Sequence, residues 1–186
     1  RITEECAKLG VKRLTLYAFS SDNWKRPSRE IGFLWRLLRR FLVQEREGIV
    51  RNQIRFETIG RTDGLPEEVR TELRKNIDMS RRHEGLVLCL ALNYGGRDEI
   101  VDAVRGVSRA VRAGEVDPDT INEEIFSRYL YSPEAQDPDL LIRTGGDFRV
   151  SNFLLWQISY TELWVSSVMW PDFGVEHLHE AISDFG

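Results

Sequence analysis

The chain has 186 residues, of which 41% are hydrophobic and 30% charged, and its formal net charge is −4. That length suits one domain with a real core, and the composition is that of a soluble globular protein, neither disordered nor membrane-spanning. The acidic balance argues against nucleic acid as a partner, and no apolar run approaches the roughly 18 residues needed to cross a bilayer.

Taken in order, residues 1–9 read as the end of a helix, with Gly10 as its C-terminal cap. Val11 to Phe19 is a β-rich run ending in the polar turn Ser20-Ser21-Asp22-Asn23. Pro27 and Ser28 introduce a long helix with Ile31, Leu34, Leu38, Phe41 and Leu42 at helical spacing. Ile54 to Ile59 is a short strand closed by Gly60, and Pro66 starts a helix carrying Val69, Leu73 and Ile77 on one face. Leu86 to Leu92 is almost continuously apolar, as a parallel strand covered on both faces would be.

After Asn93-Tyr94-Gly95-Gly96, Ile100, Val101, Val104, Val107 and Val111 mark the inward face of another helix. Thr120 with Glu123 has capping-box spacing. Strands at Leu140–Ile142 and within Leu163–Met169, then a helix from about Val175, complete an α/β pattern: a mostly parallel central sheet flanked by helices, in a single domain over 1–186. Cys6 and Cys89 lie among apolar neighbours without ligand spacing, which predicts buried free thiols in a reducing compartment.

Functional loops of such a fold lie beyond the carboxyl ends of its strands. Three polar segments fall at strand ends, Ser20–Pro27, Asn93–Arg97 and Arg143–Asn152, and a shared sheet would place them on one rim. Arg143-Thr144-Gly145-Gly146-Asp147-Phe148-Arg149-Val150-Ser151-Asn152 is the richest. Its glycines let backbone amides approach a ligand, its arginines offer charge-assisted forks, and Ser151 is predicted at the N-terminus of a helix from Asn152. The pattern predicts a phosphate or diphosphate cradle; its alternative is a glycine turn with solvated arginines. Ser20 to Arg26 adds hydroxyls, an amide, cations and Trp24, or else merely caps a helix. Neither segment is a Walker A loop or a GxGxxG turn.

Glu162 sits in an apolar stretch, where a carboxylate is costly unless it pairs with a cradle arginine or holds a hard cation. Asp172, after Trp170-Pro171, reads as a turn residue, and His83, His177 and His179 lack catalytic spacing. The five Trp, nine Phe and five Tyr line either an ordinary core or an apolar tunnel.

Four segments make the chain resemble the undecaprenyl diphosphate synthase family of cis-prenyltransferases. They are Thr15–Trp24 with Arg26-Pro27, Asn93–Arg97, Asp139–Asn152, and Phe153–Glu162 with the later Trp170-Pro171-Asp172-Phe173. The resemblance implies a magnesium-dependent enzyme that condenses isopentenyl diphosphate with an allylic diphosphate such as farnesyl diphosphate. The product would be a polyprenyl diphosphate, a lipid-carrier precursor for cell-wall synthesis.

Residue by residue, it gives Arg143, Arg149, Val150 and Ser151 to isopentenyl diphosphate, and Glu162 to Mg2+. Ser20, Ser21, Asp22, Trp24 and Arg26 become substrate contacts, and Asn23 falls in the catalytic proton-transfer region. An amide has no useful basicity near neutral pH, so Asn23 would orient diphosphate or water. The likeness further implies a cytoplasmic homodimer, peripheral to the membrane, with a tunnel lined or floored by Ala18, Leu86 and Leu92. Leu92 is bulkier than the alanine expected of a long-chain member, and Asp147 replaces the usual Glu.

The family's MDGNxRWA-type loop, which carries an aspartate, and its Arg-rich tail find no match in residues 1–186. The expectation is therefore a domain truncated at both ends and inactive alone. The rival readings are a non-catalytic partner subunit and a generic phosphate-binding α/β protein.

Overall fold

Leu86 to Leu92 does become a strand covered on both faces. In the computed structural model, which describes residues 1–185, β3 (Val87–Tyr94) lies between β1 (Arg13–Ser20) and β2 (Arg55–Ile59), parallel to both. Leu88, Leu90 and Leu92 are buried, and so are Cys89 and Ala91 on the opposite side. This sheet belongs to the first of two compact units, Arg1–Tyr94; the second is Gly95–Gly186.

In the first unit, α1 (Ile2–Lys8) ends at Leu9, and Gly10 follows with φ +77, the left-handed cap its sequence predicted. Helix α2 (Ser28–Gln44) buries Ile31, Trp35 and Leu42, whereas Phe33, Leu37 and Phe41 stay exposed along its other side. Helical spacing had placed Phe41 inward. Trp35 is the anchor instead, its ring tilted at 37° to that of Phe19 with centroids 4.3 Å apart, and the bulk of its indole sets which face turns in.

α3 (Arg46–Arg51) and α4 (Glu67–Ser80) follow, joined by a buried polar network. Arg46 donates to Asn76 Oδ1 at 2.9 Å and pairs with Glu72; Asn76 donates to the Leu42 carbonyl at 2.9 Å. Ser80 Oγ donates to the Asn76 carbonyl at 2.7 Å and accepts from Phe56 N at 2.9 Å. Lys75 and Arg46 hold the Glu72 carboxyl below its usual range. The chain therefore ties α2, α4 and β2 with directed bonds.

β1 and β3 end irregularly. Tyr17 faces Ala91, Phe19 faces Leu92 and Ser20 faces Tyr94, so Ala18 and Asn93 are the extra residues, one on each strand. Ala18 is exposed and Asn93 takes a left-handed φ of 48. Such bulges re-aim side chains at a rim. Gly60 closes β2 with φ +107, where an added Cβ would lie 2.2 Å from the Leu92 carbonyl oxygen.

Cys6 and Cys89 are buried free thiols, as predicted, and burial pushes each from its ordinary 9.0 up to about 11. The folded chain thus favours the neutral thiols. Their stabilisation is intact below pH 9.0 and lost as pH rises toward about 11. Denaturant midpoints should fall over that window, and replacing both cysteines with alanine should flatten the fall.

In the second unit, α5 (Gly96–Arg112) turns Gly96, Glu99, Ala103, Val107 and Ala110 inward. Val101 and Val104, predicted inward, are about half exposed. Small side chains allow close packing on this face: an added Cβ at Gly106 would meet the Tyr129 ring at 2.8 Å. Asn122, not Thr120, caps α6 (Glu123–Ser127), accepting from Ile125 N at 2.9 Å; Thr120 donates to the Asp117 carbonyl. β4 (Leu140–Arg143) pairs parallel with β5 (Glu162–Val165), and α7 (Val175–Phe185) follows a 3-10 turn at Trp170–Asp172. No helix among the described residues is long and apolar enough to cross a membrane.

Candidate functional site

In the first unit, Ser20 and Asn23 form a reciprocal capping box around the 3-10 turn Ser21–Lys25. Ser20 N donates to Asn23 Oδ1 at 2.9 Å, while Ser20 Oγ accepts from Asp22 N and from the Tyr17 hydroxyl. The capping alternative weighed from the sequence is realised, which leaves Asn23 Nδ2 as its remaining side-chain donor. Asp22 pairs with Lys25 at 2.7 Å, and Ser21 is part-exposed. Trp24, 41% exposed, packs on Phe19 and Trp35, and its indole N–H donates to Asn93 Oδ1 at 2.7 Å. Asn93 in turn donates to the Arg61 carbonyl at 2.9 Å, so a left-handed strand-end residue latches the tryptophan.

Arg26 is exposed at one end of a cleft of about 420 Å³, with Arg29, Glu30, Phe33, Leu34 and Arg36. Cations and an apolar helix face share this cleft. Sequence reasoning missed it because it assigned only one face of α2; the spacing of Phe33, Leu37 and Phe41 by four held the signal. Of the positions suggested for a tunnel, Leu86 and Leu92 are packed core, at 3% and 0% exposure.

In the second unit, the loop after β4 is a built turn. Gly145 (φ +87) and Gly146 (φ +76) donate their amides to the Val168 and Ser166 carbonyls at 2.9 and 2.8 Å. These amides are occupied by the loop after β5 and do not face a ligand, a correction to their predicted role. The arginines do converge: Arg143 Nη2 and Arg149 Nη2 both donate to Asp147 Oδ2, at 3.0 and 2.6 Å. Arg143 Nε is buried without an acceptor among the described residues. A buried donor left unpaired costs about 1–3 kcal/mol.

Ser151 is exposed, with φ 50, but no helix begins at Asn152. Ser151, Asn152 (φ 64) and Leu154 (φ 46) are left-handed, which an α-helix cannot accommodate. Val150 is partly exposed and its carbonyl accepts from Phe153 N at 3.1 Å.

Glu162 also departs from expectation. It is exposed, and among the described residues its side chain makes no ion pair; the cradle arginines use Asp147 instead. It opens β5 opposite Leu140, whereas Arg143 faces Val165, three residues or about 10 Å further along the ladder. No group of three or more His, Cys, Asp or Glu is placed to hold a metal among the described residues.

Parallel strands flanked by helices make this an α/β protein, with a paired-arginine loop after β4 in one unit and an arginine-lined apolar cleft along α2 in the other. The chain belongs to the family described as "Putative undecaprenyl diphosphate synthase", whose model matches residues 1–186. An isoprenyl transferase of Clostridium perfringens is 47% identical over 99% of this chain and 73% of its own length. One from Heliobacterium mobile is 46% identical over 100% and 71%. Lavandulyl diphosphate synthase from Lavandula x intermedia, solved with dimethylallyl diphosphate, superposes with a TM-score of 0.94 at 36% identity, over 97% of this chain and 78% of that one. A Campylobacter jejuni structure described as a probable undecaprenyl diphosphate synthase gives 0.87 at 34%, over 99% and 84%.

Proposed function

We propose that the chain is a cis-prenyltransferase joining isopentenyl diphosphate to an allylic diphosphate. The convergence of Arg143 and Arg149 on one oxygen, Asp147 Oδ2, carries this reading, because a diphosphate oxygen can take the place of that carboxylate. Arg143, Arg149 and the free-facing Ser151 hydroxyl bind the diphosphate of isopentenyl diphosphate, with Val150 shaping the turn between them.

The Ser20–Arg26 segment serves the allylic substrate. Arg26 binds its diphosphate, and Phe33 and Leu34 in the same cleft receive its hydrocarbon. The exposed line Phe33, Leu37, Phe41 supports an apolar tunnel continuing along α2 as the product grows. Asp22 holds Lys25 against the loop. Asn23, with its oxygen occupied by Ser20 N, acts through Nδ2 as a donor that orients diphosphate or water. As the allylic carbon–oxygen bond breaks and diphosphate departs, the C3–C4 double bond of isopentenyl diphosphate attacks that carbon, and the C2 proton passes to a diphosphate oxygen, leaving a cis C2–C3 double bond. The cations stabilise the departing diphosphate, and apolar walls keep water from the allylic carbon.

Glu162 fits Mg2+ as a single free carboxylate, since that ion commonly takes one or two carboxylates with phosphate oxygens and water. When bound it would neutralise diphosphate charge. Exposed Leu163, Met169 and Trp170 support a homodimer. A cytoplasmic site of action, with product delivered to the membrane, completes the reading.

The test is incorporation of labelled isopentenyl diphosphate into farnesyl or dimethylallyl diphosphate by the protein expressed from its full gene. Magnesium-dependent chain growth is expected. A folded protein that incorporates no label with either allylic substrate would sink the proposal.

A further inference from the structure

Resting on the reading of the Arg143–Ser151 loop as a diphosphate site, we propose that Asn152 is a positioning residue, clamping that loop to the first turn of α5. A 17-residue helix leaves its first amides without intrahelical acceptors, and Gly95, at the cap position of α5, has no side chain to supply one. The acceptors come from Asn152, far along the chain. Gly96 N donates to the Asn152 carbonyl at 2.7 Å, and Arg97 N to Asn152 Oδ1 at 2.9 Å.

The backbone beside this clamp is strained. Ser151, Asn152 and Leu154 are left-handed, and only Asn among them tolerates that conformation readily. A left-handed non-glycine residue persists only where its surroundings over-determine it. Here the surroundings are the two bonds of Asn152, the buried side chains of Phe153 and Leu154, and a close seat on Gly96. An added Cβ at Gly96 would stand 2.7 Å from Leu155 Cγ and 3.0 Å from Leu155 N.

Ser151 itself is exposed, and its hydroxyl has no protein partner among the described residues. The strain therefore satisfies no bond of that side chain within the fold. What it sets is the direction in which Ser151, and Arg149 two residues before it, leave the loop. The first two α5 amides, of Gly96 and Arg97, are occupied by Asn152, so this end of α5 acts on the ligand through Asn152.

Calorimetric titration with isopentenyl diphosphate, on wild type, Asn152→Gly, Asn152→Asp and Arg149→Ala, tests this. Glycine keeps the left-handed backbone and removes Oδ1; aspartate keeps both an acceptor and tolerance of that conformation. Well below the melting temperature, Asn152→Gly should bind about five- to tenfold more weakly, as the loss of one hydrogen bond allows. Asn152→Asp should recover most of that loss, and Arg149→Ala should fall further than either. Wild-type affinity in Asn152→Gly, with Arg149→Ala impaired, would make Asn152 a structural cap only. Wild-type affinity in Arg149→Ala, or no binding by wild type, would overturn the diphosphate reading itself.

Should Asn152→Gly fail to fold, hydrogen exchange on wild type decides the matter. By reciprocity, isopentenyl diphosphate should slow exchange at the Gly96 and Arg97 amides, whose acceptors belong to Asn152. Unchanged exchange at saturating ligand would overturn the clamp.

Discussion

Replacing Arg149 with alanine should weaken binding of isopentenyl diphosphate roughly thirtyfold, within the 1.5–3 kcal/mol of a hydrogen bond to a charged group. Arg149 is largely exposed, its side chain 67% accessible, so its removal leaves no cavity and the melting temperature should hardly move. Arg143 is less exposed, at 29%, and contributes a buried Nε as well as the Nη2 that meets Asp147. The double variant should show no measurable binding. Arg149→Lys should recover only part of the affinity, since an ammonium keeps the charge and loses the fork. Titration calorimetry at fixed salt reads all four proteins. Wild-type affinity in Arg149→Ala would remove this loop from substrate binding.

Glu162→Gln should lower turnover by roughly 10²- to 10³-fold, the scale for losing one preorganised electrostatic partner of a reacting group. The same change should leave stability within about 0.5 kcal/mol, because an exposed carboxylate without a protein partner holds nothing else in place. That combination separates a metal ligand from a structural ion pair. The assay is label incorporation by the protein from its full gene across a magnesium titration, with thermal melts alongside. Wild-type turnover with an unchanged magnesium midpoint would make Glu162 an ordinary surface residue.

The elements most legible in the sequence were those whose pattern has one physical cause. An unbroken apolar run such as Leu86–Leu92 can only be covered on both faces, and Gly10 and Gly60 closed the elements before them as glycines with left-handed backbones do. Reading failed where small or polar side chains decide packing. The inward face of α5 follows Gly96, Glu99, Ala103 and Ala110, which a search for large apolar residues passes over. The buried series Glu72, Asn76 and Ser80 on α4 has helical spacing too, but polar residues at that spacing ordinarily signal a solvated face.

At the site, the residue types were readable and their directions were not. Arg143 and Arg149 share a short loop, so their convergence followed from proximity. The turn at Ser151–Leu154 did not, because nothing local to that stretch announces that Asn152 caps a helix 55 residues earlier. The exposure of Glu162 was not legible for a related reason: apolar neighbours in sequence did not bury it, since β5 is only four residues long and has one strand partner.

Asp147 gives the arginine loop its own counter-ion. Two guanidiniums and one carboxylate leave a single net positive charge, and the whole chain is acidic at −4. At distances beyond a Debye length such a loop is nearly silent, so it does little to gather polyanions from solution. Discrimination happens on contact. Inorganic phosphate and acidic side chains must exchange with a carboxylate already in place and gain little by doing so, whereas a diphosphate brings more charge and more oxygens than the group it displaces. On the proposed reading, the loop would thereby be kept clear of the cell's abundant weak anions without a gate, by an occupant that a sufficiently charged ligand moves aside.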